Sequence, residues 1–275
     1  MLPTPTWTNY PAPLRLKGVR PVEIAMTMRD GRWRLDLDRL FDACNERTRA
    51  IFINSPSNPT GWIASREEIL AIRDFARARG LWLVSDEVYN RFYYGAPDGS
   101  RSVPPSFHEV ADPDERIIWI DTFSKNWAMT GWRVGWIIAP KELGQVLENL
   151  IQYNTSGVAS FMQRACIAAL DDGEAFLAEQ VARARRGRDI VAGALAQSPR
   201  VSFAMPDGAF YLFFKVDGEP DTRAFAKRIV DEIAVGFAPG TAFGAGGEAY
   251  LRLCFARAPE SLELAMERLV PWLAK

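Results

Sequence analysis

The sequence predicts an α/β fold in which a mostly parallel sheet is flanked by helices, followed by a smaller C-terminal α/β domain. Three short apolar runs, at residues 50–53, 81–84 and 117–120, each end abruptly in polar residues. Such runs are typical of strands buried on both faces, as in a parallel sheet covered by helices. Toward the C-terminus, strand and helix signals alternate, which indicates a second, smaller α/β domain.

The segment between the first two runs, SREEILAIRDFARARG, carries the signals of one helix. Ser65 is placed to cap its N-terminus, and Glu68, three residues later, completes a capping box. Apolar residues recur on one face, and Gly80 is placed to end the helix. Strand, helix and strand together predict a β-α-β unit, in which the two strands lie parallel.

Turns and periodicity predict the elements around these strands. Before the first strand, a turn at Asp30-Gly31 is followed by a short helix, and after the third strand the segment WRVGWIIAP is typical of a further strand. Residues 141–198 have a helical pattern. We expect two domains, a large one of residues 1–184 and a smaller one of residues 185–275.

Composition favours a small-molecule ligand over nucleic acid or a membrane. The formal net charge of the 275 residues is -1, and no long run of one sign occurs. The three cysteines lack CxxC spacing, which predicts a reducing compartment, the cytoplasm. His108 is the single histidine, so we expect no metal site. Signal-peptide features and an apolar run long enough to span a membrane are absent from the sequence.

Residues capable of chemistry follow each of the three apolar runs. The segments are NSPSNPTG, SDEVY and TFSKNW, in chain order. Ligands of open α/β sheets bind beyond the carboxyl ends of the parallel strands, so we expect these segments to meet at one rim. Taken singly, each segment also fits a purely structural interpretation, in which NPTG forms a turn, Asp86 belongs to a solvated pair at a strand end and Lys125 is an ordinary exposed lysine.

Together, the segments match the needs of pyridoxal 5'-phosphate (PLP). A lysine amine attacks a carbonyl only when it is neutral, and a partly desolvated cleft at Lys125 favours that form. A buried carboxylate at Asp86 would hold a proton on a ring nitrogen, which makes the ring an electron sink. Tyr89 and Asn58 can donate to a phenolate oxygen. The candidates for holding a phosphate are Thr122, Ser124 and Arg133.

The motifs also resemble a known family. In NSPSNPTG, SDEVY, TFSKNWAMTGWRVGW, DGAFYLF and YLRLCFA the chain resembles the PLP-dependent aminotransferases of class I and II. The resemblance implies the PLP-transferase fold type I and transfer of an amino group between an L-amino acid and a 2-oxo acid, in amino-acid metabolism, by a homodimer. Family members usually carry a further N-terminal portion with a glycine-rich phosphate-binding turn, so we expect the large domain to be incomplete at its N-terminus.

The resemblance assigns roles to single residues. Lys125 forms the Schiff base and moves the proton, Asp86 pairs the pyridine nitrogen, and Tyr89 binds the ring oxygen O3', so these three are the catalytic candidates. The full set of cofactor-binding candidates is Trp7, Asn58, Asp86, Tyr89, Thr122, Ser124, Lys125 and Arg133. Trp7 is expected to stack on the cofactor ring, and Tyr10 to border the same pocket.

The substrate-binding candidates are Arg252 and Asn58. By the resemblance, Arg252 grips the α-carboxylate, and the planar fork of a guanidinium suits that task. The same residues would serve a PLP-dependent β-lyase or decarboxylase, or belong to a truncated, inactive PLP-fold fragment. Family frequency alone indicates aspartate or an aromatic amino acid as donor and 2-oxoglutarate as acceptor.

Overall fold

The computed structural model of the protein describes residues 1–95, 103–112 and 114–274. The N-terminal part contains β1 (Leu2–Thr4), α1 (Pro11–Leu16), β2 (Glu23–Ala25), β3 (Thr27–Arg29), β4 (Arg32–Arg34) and α2 (Leu37–Asp42). The middle contains β5 (Ala50–Asn54), α3 (Arg66–Arg79), β6 (Trp82–Asp86), β7 (Ile117–Thr122), α4 (Phe123–Asn126), β8 (Gly135–Ile138), α5 (Gly144–Asn154), α6 (Ser160–Asp172) and α7 (Glu174–Leu195). The C-terminal part contains β9 (Val201–Phe203), β10 (Tyr211–Val216), α8 (Thr222–Ile233), β11 (Ala238–Pro239), β12 (Tyr250–Cys254) and α9 (Pro259–Leu273).

The central sheet has the strand order β5-β6-β7-β8. Its first three strands are the three predicted apolar runs and pair in parallel, whereas β8 pairs antiparallel to β7. Asn54 lies opposite Asp86 in the register, and Asp86 lies opposite Ile120. The carboxyl ends of β5 and β6 are therefore level, β7 extends two residues further in the same direction, and the residues that follow the three strands share one rim.

Helix α3 has both predicted caps. Ser65 Oγ accepts a hydrogen bond from the backbone N–H of Glu68 at 3.2 Å, and Glu68 Oε2 accepts one from the backbone N–H of Ser65 at 2.7 Å. Gly80 ends the helix with φ 62°, in the left-handed region that glycine adopts without strain. Ile69 and Ile72 are buried and pack the helix on the sheet.

The predicted turn at Asp30-Gly31 joins two strands. Both residues have positive φ, 52° and 69°, as a tight hairpin turn requires, and the turn links β3 to β4. The sequence had predicted a short helix directly after the turn, but β4 comes first and α2 follows it. The extra strand buries Trp33, which packs in the same core as Ile51 and Ile53 of β5.

The C-terminal sheet is antiparallel with the strand order β11-β12-β10-β9. Helices α7, α8 and α9 supply buried residues to one hydrophobic core. The same core contains Phe214 of β10 and Phe255, which follows β12. The predicted division between residues 184 and 185 falls within α7, and the division into two domains stays a prediction. Among the described residues, no helix has both the length and the apolar character that crossing a membrane requires.

Candidate active site

The predicted residues gather where the parallel strands end. Asp86 is the last residue of β6 and is only 5% exposed. Lys125 lies in α4, which begins directly after β7 because the Thr122 side chain caps it, accepting from the backbone N–H of Ser124 at 3.1 Å. A strand that passes immediately into one helical turn holds the lysine at the rim instead of in an open loop.

The carboxylate of Asp86 is held by three donors. Tyr10 Oη donates to Oδ2 at 2.5 Å, while Asn54 Nδ2 and the backbone N–H of Val88 donate to Oδ1 at 3.3 and 3.2 Å. Burial raises the pKa of Asp86, and the hydrogen bonds from Tyr10 and Val88 oppose that rise. The three donors fix the direction in which the carboxylate points.

Lys125 is half-buried, and its ammonium lies over the ring of Tyr89, with Nζ 6.0 Å from the ring centroid. Burial lowers the pKa of Lys125, and the positive charge of Arg133 lowers it further, whereas Asp86 acts in the opposite sense. The neutral amine is therefore more populated than it is in an exposed lysine, as a nucleophile or a proton acceptor requires.

Tyr89 keeps its hydroxyl proton. The side chain is 4% exposed, and its Oη lies 3.2 Å from Tyr211 Oη. Burial raises the pKa of Tyr89 well above its ordinary value, so the phenol is a hydrogen-bond donor throughout the neutral range. Tyr89 can thus donate to an oxygen of a bound group, while the neighbouring Tyr211 hydroxyl holds the Tyr89 hydroxyl in position.

Arg252 of β12 is a cation surrounded by aromatic rings. Its guanidinium carbon lies 4.5 Å from the ring centroid of Tyr211, 4.9 Å from that of Phe243 and 5.8 Å from that of Trp7. Nη1 donates to Asn58 Oδ1 at 3.0 Å. Within the described parts of the chain, its buried Nε has no hydrogen-bond partner and no carboxylate pairs with its charge. The site therefore offers an incompletely satisfied cation to an anionic ligand.

The three phosphate candidates lie beside Lys125. Thr122 Oγ1 is 2.9 Å from the carbonyl oxygen of Val134 and 3.0 Å from Ser124 Oγ. Arg133 is exposed, with φ 58°, and its Nη1 donates to the carbonyl oxygen of Thr130 at 2.9 Å. A hydroxyl has one hydrogen, so the bond from Thr122 to Val134 leaves the Ser124 hydroxyl as the freer donor.

Three residues contact the predicted site residues although the sequence analysis gave them no role or only a minor one. Asn54 opens the segment NSPSNPTG and donates to Asp86, and Tyr211 lies within DGAFYLF and contacts both Tyr89 and Arg252. Tyr10 was expected only to border the pocket, yet it bonds directly to Asp86. The sequence signal that could have identified Asn54 and Tyr211 is their position within the motifs NSPSNPTG and DGAFYLF. Their partners become visible only once the strands are paired.

The family follows from comparison with known proteins. The sequence model of the family "aminotransferase class I and II" matches residues 1–269 of this chain. The chain belongs to this family. It is 34% identical over 282 residues to a probable aspartate/prephenate aminotransferase of Aquifex aeolicus, a match that covers 98% of this chain and 68% of the relative. It is 35% identical over 277 residues to aromatic-amino-acid aminotransferase 2 of Thermococcus litoralis, with the same coverage.

Solved structures give the same result. The aromatic aminotransferase from Pyrococcus horikoshii OT3 superposes with a TM-score of 0.90 at 34% identity, over 99% of this chain and 72% of that one. An aspartate aminotransferase from Thermotoga maritima superposes with the same TM-score at 30% identity. The predicted fold type I and the predicted PLP-dependent aminotransferase activity are thereby confirmed for this class I/II aminotransferase.

The residues of the site fit PLP. A carboxylate offers about four lone-pair positions, and donors from the described residues fill three of those on Asp86, which leaves one for a ring N–H. Among the described residues, no hydrogen bond uses the Nδ2 amide of Asn58, which is free to donate. Lys125 has a lowered pKa, and the buried Nε of Arg252 has no hydrogen-bond partner among the described residues. A carbonyl, a ring nitrogen and an anionic group each find a partner here.

Proposed function

We propose that this aminotransferase uses Lys125 to move the proton at the substrate α-carbon and Arg252 to bind the substrate α-carboxylate. The observation that carries the proposal is the unsatisfied guanidinium of Arg252, which is linked to Lys125 through two tyrosines. Arg252 packs on Tyr211, Tyr211 contacts Tyr89, and Tyr89 lies beneath the Lys125 ammonium. The charge of Arg252 also contributes to the lowered pKa of Lys125. In this proposal the amino acid lies with its carboxylate on the arginine and its α-carbon toward the lysine.

Bound PLP supplies an electron sink for the bond that breaks at the α-carbon. Asp86 would hold it through the ring nitrogen, and Tyr89 and Asn58 would donate to its ring oxygen. The free lone pair on Asp86, the high pKa of Tyr89 and the free amide of Asn58 support these roles. The residues proposed to hold the phosphate and the ring face are Thr122, Ser124, Arg133 and Trp7.

Lys125 would accept at Nζ the proton that leaves the substrate α-carbon, and would later release it. Its lowered pKa supports this role, since the neutral amine that takes up a proton is more populated than in an exposed lysine. Burial and then Arg133 keep the pKa of Lys125 low, while Asp86 opposes this shift. The enclosed position beside Tyr89 keeps the amine near the atoms between which the proton moves.

The proposed donors are acidic and aromatic L-amino acids, with a 2-oxo acid as acceptor. The names of the relatives support this range, since they include an aspartate/prephenate and an aromatic-amino-acid aminotransferase. Trp7, Tyr211 and Phe243 provide aromatic surfaces around the carboxylate-binding arginine. A side chain of either kind must pack beside these rings once the α-carboxylate is bound.

Borohydride trapping tests the role of Lys125. The chain is incubated with PLP, reduced, digested and analysed by peptide mass spectrometry, alongside Lys125→Ala and the exposed control Lys141→Ala. We expect a phosphopyridoxyl group on the peptide that contains Lys125 in the wild type and in Lys141→Ala, and none in Lys125→Ala. A label that persists in Lys125→Ala, or one found mainly on another peptide, would refute the assignment.

We also propose that the enzyme works as a cytoplasmic homodimer. The three cysteines are free, as a reducing compartment would leave them. Large apolar side chains of α5 and α6 are exposed, as an interface would require: Leu150, Ile151, Phe161, Ile167 and Leu170. Sedimentation analysis of Leu150→Glu should show a shift toward monomer that the control Val230→Glu on α8 does not show. A wild-type chain that sediments as a monomer would refute the dimer.

A further inference from the structure

The hydrogen bond between Tyr10 and Asp86 is not explained by the roles assigned so far. Tyr10 precedes α1, and 76 residues separate it from Asp86, yet its hydroxyl lies 2.5 Å from Asp86 Oδ2. We propose that Tyr10 is a positioning residue, which fixes the Asp86 carboxylate in its charged form so that the remaining lone pair is aimed at the cofactor ring nitrogen. The inference rests on the proposed role of Asp86.

The distribution of donors on the carboxylate supports this assignment. Oδ1 already accepts from Asn54 Nδ2 and from the backbone N–H of Val88. Among the described residues, Oδ2 accepts only from Tyr10, so the free lone pair is on the oxygen that Tyr10 contacts. Rotation of the carboxylate would break the Tyr10 bond, because this bond holds Oδ2 while the other two donors hold Oδ1. The hydroxyl therefore sets the angle at which Oδ2 faces a ring N–H.

The ring of Tyr10 is itself held in place. It packs on Phe52 of β5, with ring centroids 4.2 Å apart and planes inclined at 42°. The backbone N–H of Tyr10 donates to the carbonyl oxygen of Trp7 at 3.2 Å, so the segment that carries Trp7 also carries Tyr10. Because β5 and β6 are adjacent in the sheet, a ring anchored on Phe52 delivers its hydroxyl to Asp86 on the next strand.

The charges around Asp86 show why a donor is needed. Burial is the largest influence and raises the pKa of Asp86, and neighbouring Glu87 raises it further. The Tyr10 hydrogen bond is the strongest opposing influence, ahead of Val88 and Lys125. Among the described residues, Tyr89 and Asp121 are further titratable groups that interact with Asp86. A protonated Asp86 would not stabilise a protonated ring nitrogen, so loss of the Tyr10 hydroxyl would weaken the electron sink.

Tyr10 is suited to donate constantly. Its own pKa is raised far above the ordinary range by burial and by the charge of Asp86, so the phenol does not ionise at any working pH. The bond therefore does not switch with pH. Tyr10→Phe removes the hydroxyl and keeps the ring that packs on Phe52. Tyr153→Phe, on the exposed surface of α5, is the matched control.

Two cofactor analogues separate positioning from general structural support. 4'-Deoxypyridoxine 5'-phosphate keeps the ring nitrogen but cannot react with Lys125, and its 1-deaza analogue has carbon in place of that nitrogen. We expect Tyr10→Phe to weaken calorimetric binding of the first by about tenfold or more, the usual size for a hydrogen bond to a charged group, and to leave binding of the second within about twofold. Equal losses for both analogues, or no loss for either, would overturn the inference.

A second measurement needs no cofactor. Carboxyl-carbon NMR of the cofactor-free full chain, with the Asp86 signal assigned through Asp86→Asn, follows the titration of this group directly. We expect Tyr10→Phe to raise the Asp86 midpoint by about one pH unit. If the wild type bound neither analogue, the proposed role of Asp86 would fall, while the titration would still decide whether Tyr10 controls the carboxylate. An unchanged midpoint would overturn the Tyr10 inference alone.

Discussion

At the scale of single residues, the geometry around Arg252 sets a requirement that lysine does not meet. A guanidinium binds a carboxylate through two parallel N–H bonds and lies flat on an aromatic ring, whereas an ammonium is a point charge. Arg252 already uses Nη1 on Asn58 and its face on Tyr211. The planar shape and the several N–H groups of Arg252 therefore contribute to carboxylate binding as well as its charge.

We expect Arg252→Lys to raise KM for amino-acid donors by about tenfold to a hundredfold, the range given by loss of one or two charge-assisted hydrogen bonds. The matched variant Arg257→Lys, at an exposed position, should leave KM within about twofold. Steady-state kinetics with an L-amino acid and with the corresponding amine that lacks the carboxylate measure the effect. A variant that lost activity equally toward both would contradict carboxylate binding by Arg252.

The position of Asp86 and Lys125 at one rim was predictable from single residues, while their roles stay predictions. Polar residues directly after apolar runs indicated Asp86 and Lys125, because parallel strands end at one rim. The hydrogen bonds from Tyr10 to Asp86 and between Tyr89 and Tyr211 were not predicted. Such partners depend on strand register and on side-chain rotamers, and neither can be inferred from the composition of a motif.

At the scale of elements, the loop after β5 packs closely against the segment before β10, and the contact is made by Gly61 and Pro206. Gly61 has φ 70°, and a side-chain carbon built there would lie 2.3 Å from Pro206 Cβ and 2.9 Å from its Cα. Gly61 N–H donates to the carbonyl oxygen of Ser57, which closes the turn that carries Asn58. The approach of these two segments thus requires both the positive φ and the absence of a side chain.

We expect Gly61→Ala to reduce the free energy of unfolding by about 2–4 kcal/mol, through left-handed strain together with the clash. Gly31→Ala is the control, because Gly31 has a similar φ of 69° but no atom within 4 Å of the added carbon. It should cost only the strain, about 1 kcal/mol. Urea unfolding compares the two variants. Equal losses would show that the contact with Pro206 is unimportant.

Local signals predicted the elements better than they predicted the pairing. The capping box of α3 and the apolar runs of β5, β6 and β7 are encoded within a few residues, and each was correctly predicted. Strand β4 and the antiparallel direction of β8 were not anticipated. A short alternating segment carries no information about which neighbour it will pair with, since the pairing is decided by packing across the sheet.

At the scale of the whole molecule, buried carboxylates make stability depend on pH. Burial raises the pKa of Asp121 to about 7 from an ordinary value of 3.8, despite hydrogen bonds from Thr122 and Asn90. Between about pH 4 and pH 7 the folded chain therefore keeps a proton that the unfolded chain has released. Stability falls as pH rises through this window, because the unfolded state binds fewer protons than the folded state.

We expect Asp121→Asn to be more stable than the wild type at pH 8 and nearly equal to it at pH 4.5, since the amide carries no charge to desolvate. The comparison is the difference in thermal midpoint at the two pH values, with Asp231→Asn on the exposed side of α8 as the control. An Asp121→Asn variant that was less stable at pH 8 would mean that the carboxylate is stabilised by its hydrogen bonds more than burial disfavours it.

The division into domains belongs to the same scale and stays a prediction. Buried residues form one core around β5 and α3, and another around β10 and α9, with helix α7 extending past the predicted boundary. Limited proteolysis tests the division. Early cleavage near residue 185 would support two separately stable units, whereas a continuous helix that resists cleavage would favour a single cooperative one.

The contact between Asn58 and Arg252 has a consequence for the chemical ageing of the enzyme. If the Asn58 side chain deamidated, a carboxylate would stand 3.0 Å from the guanidinium and compete with every substrate as a permanent internal counter-ion. Asparagine usually deamidates when the N–H of the following residue attacks its side chain. The following residue here is Pro59, which has no N–H. The same Asn-Pro pair that shapes the turn therefore protects the charge of the arginine from slow neutralisation.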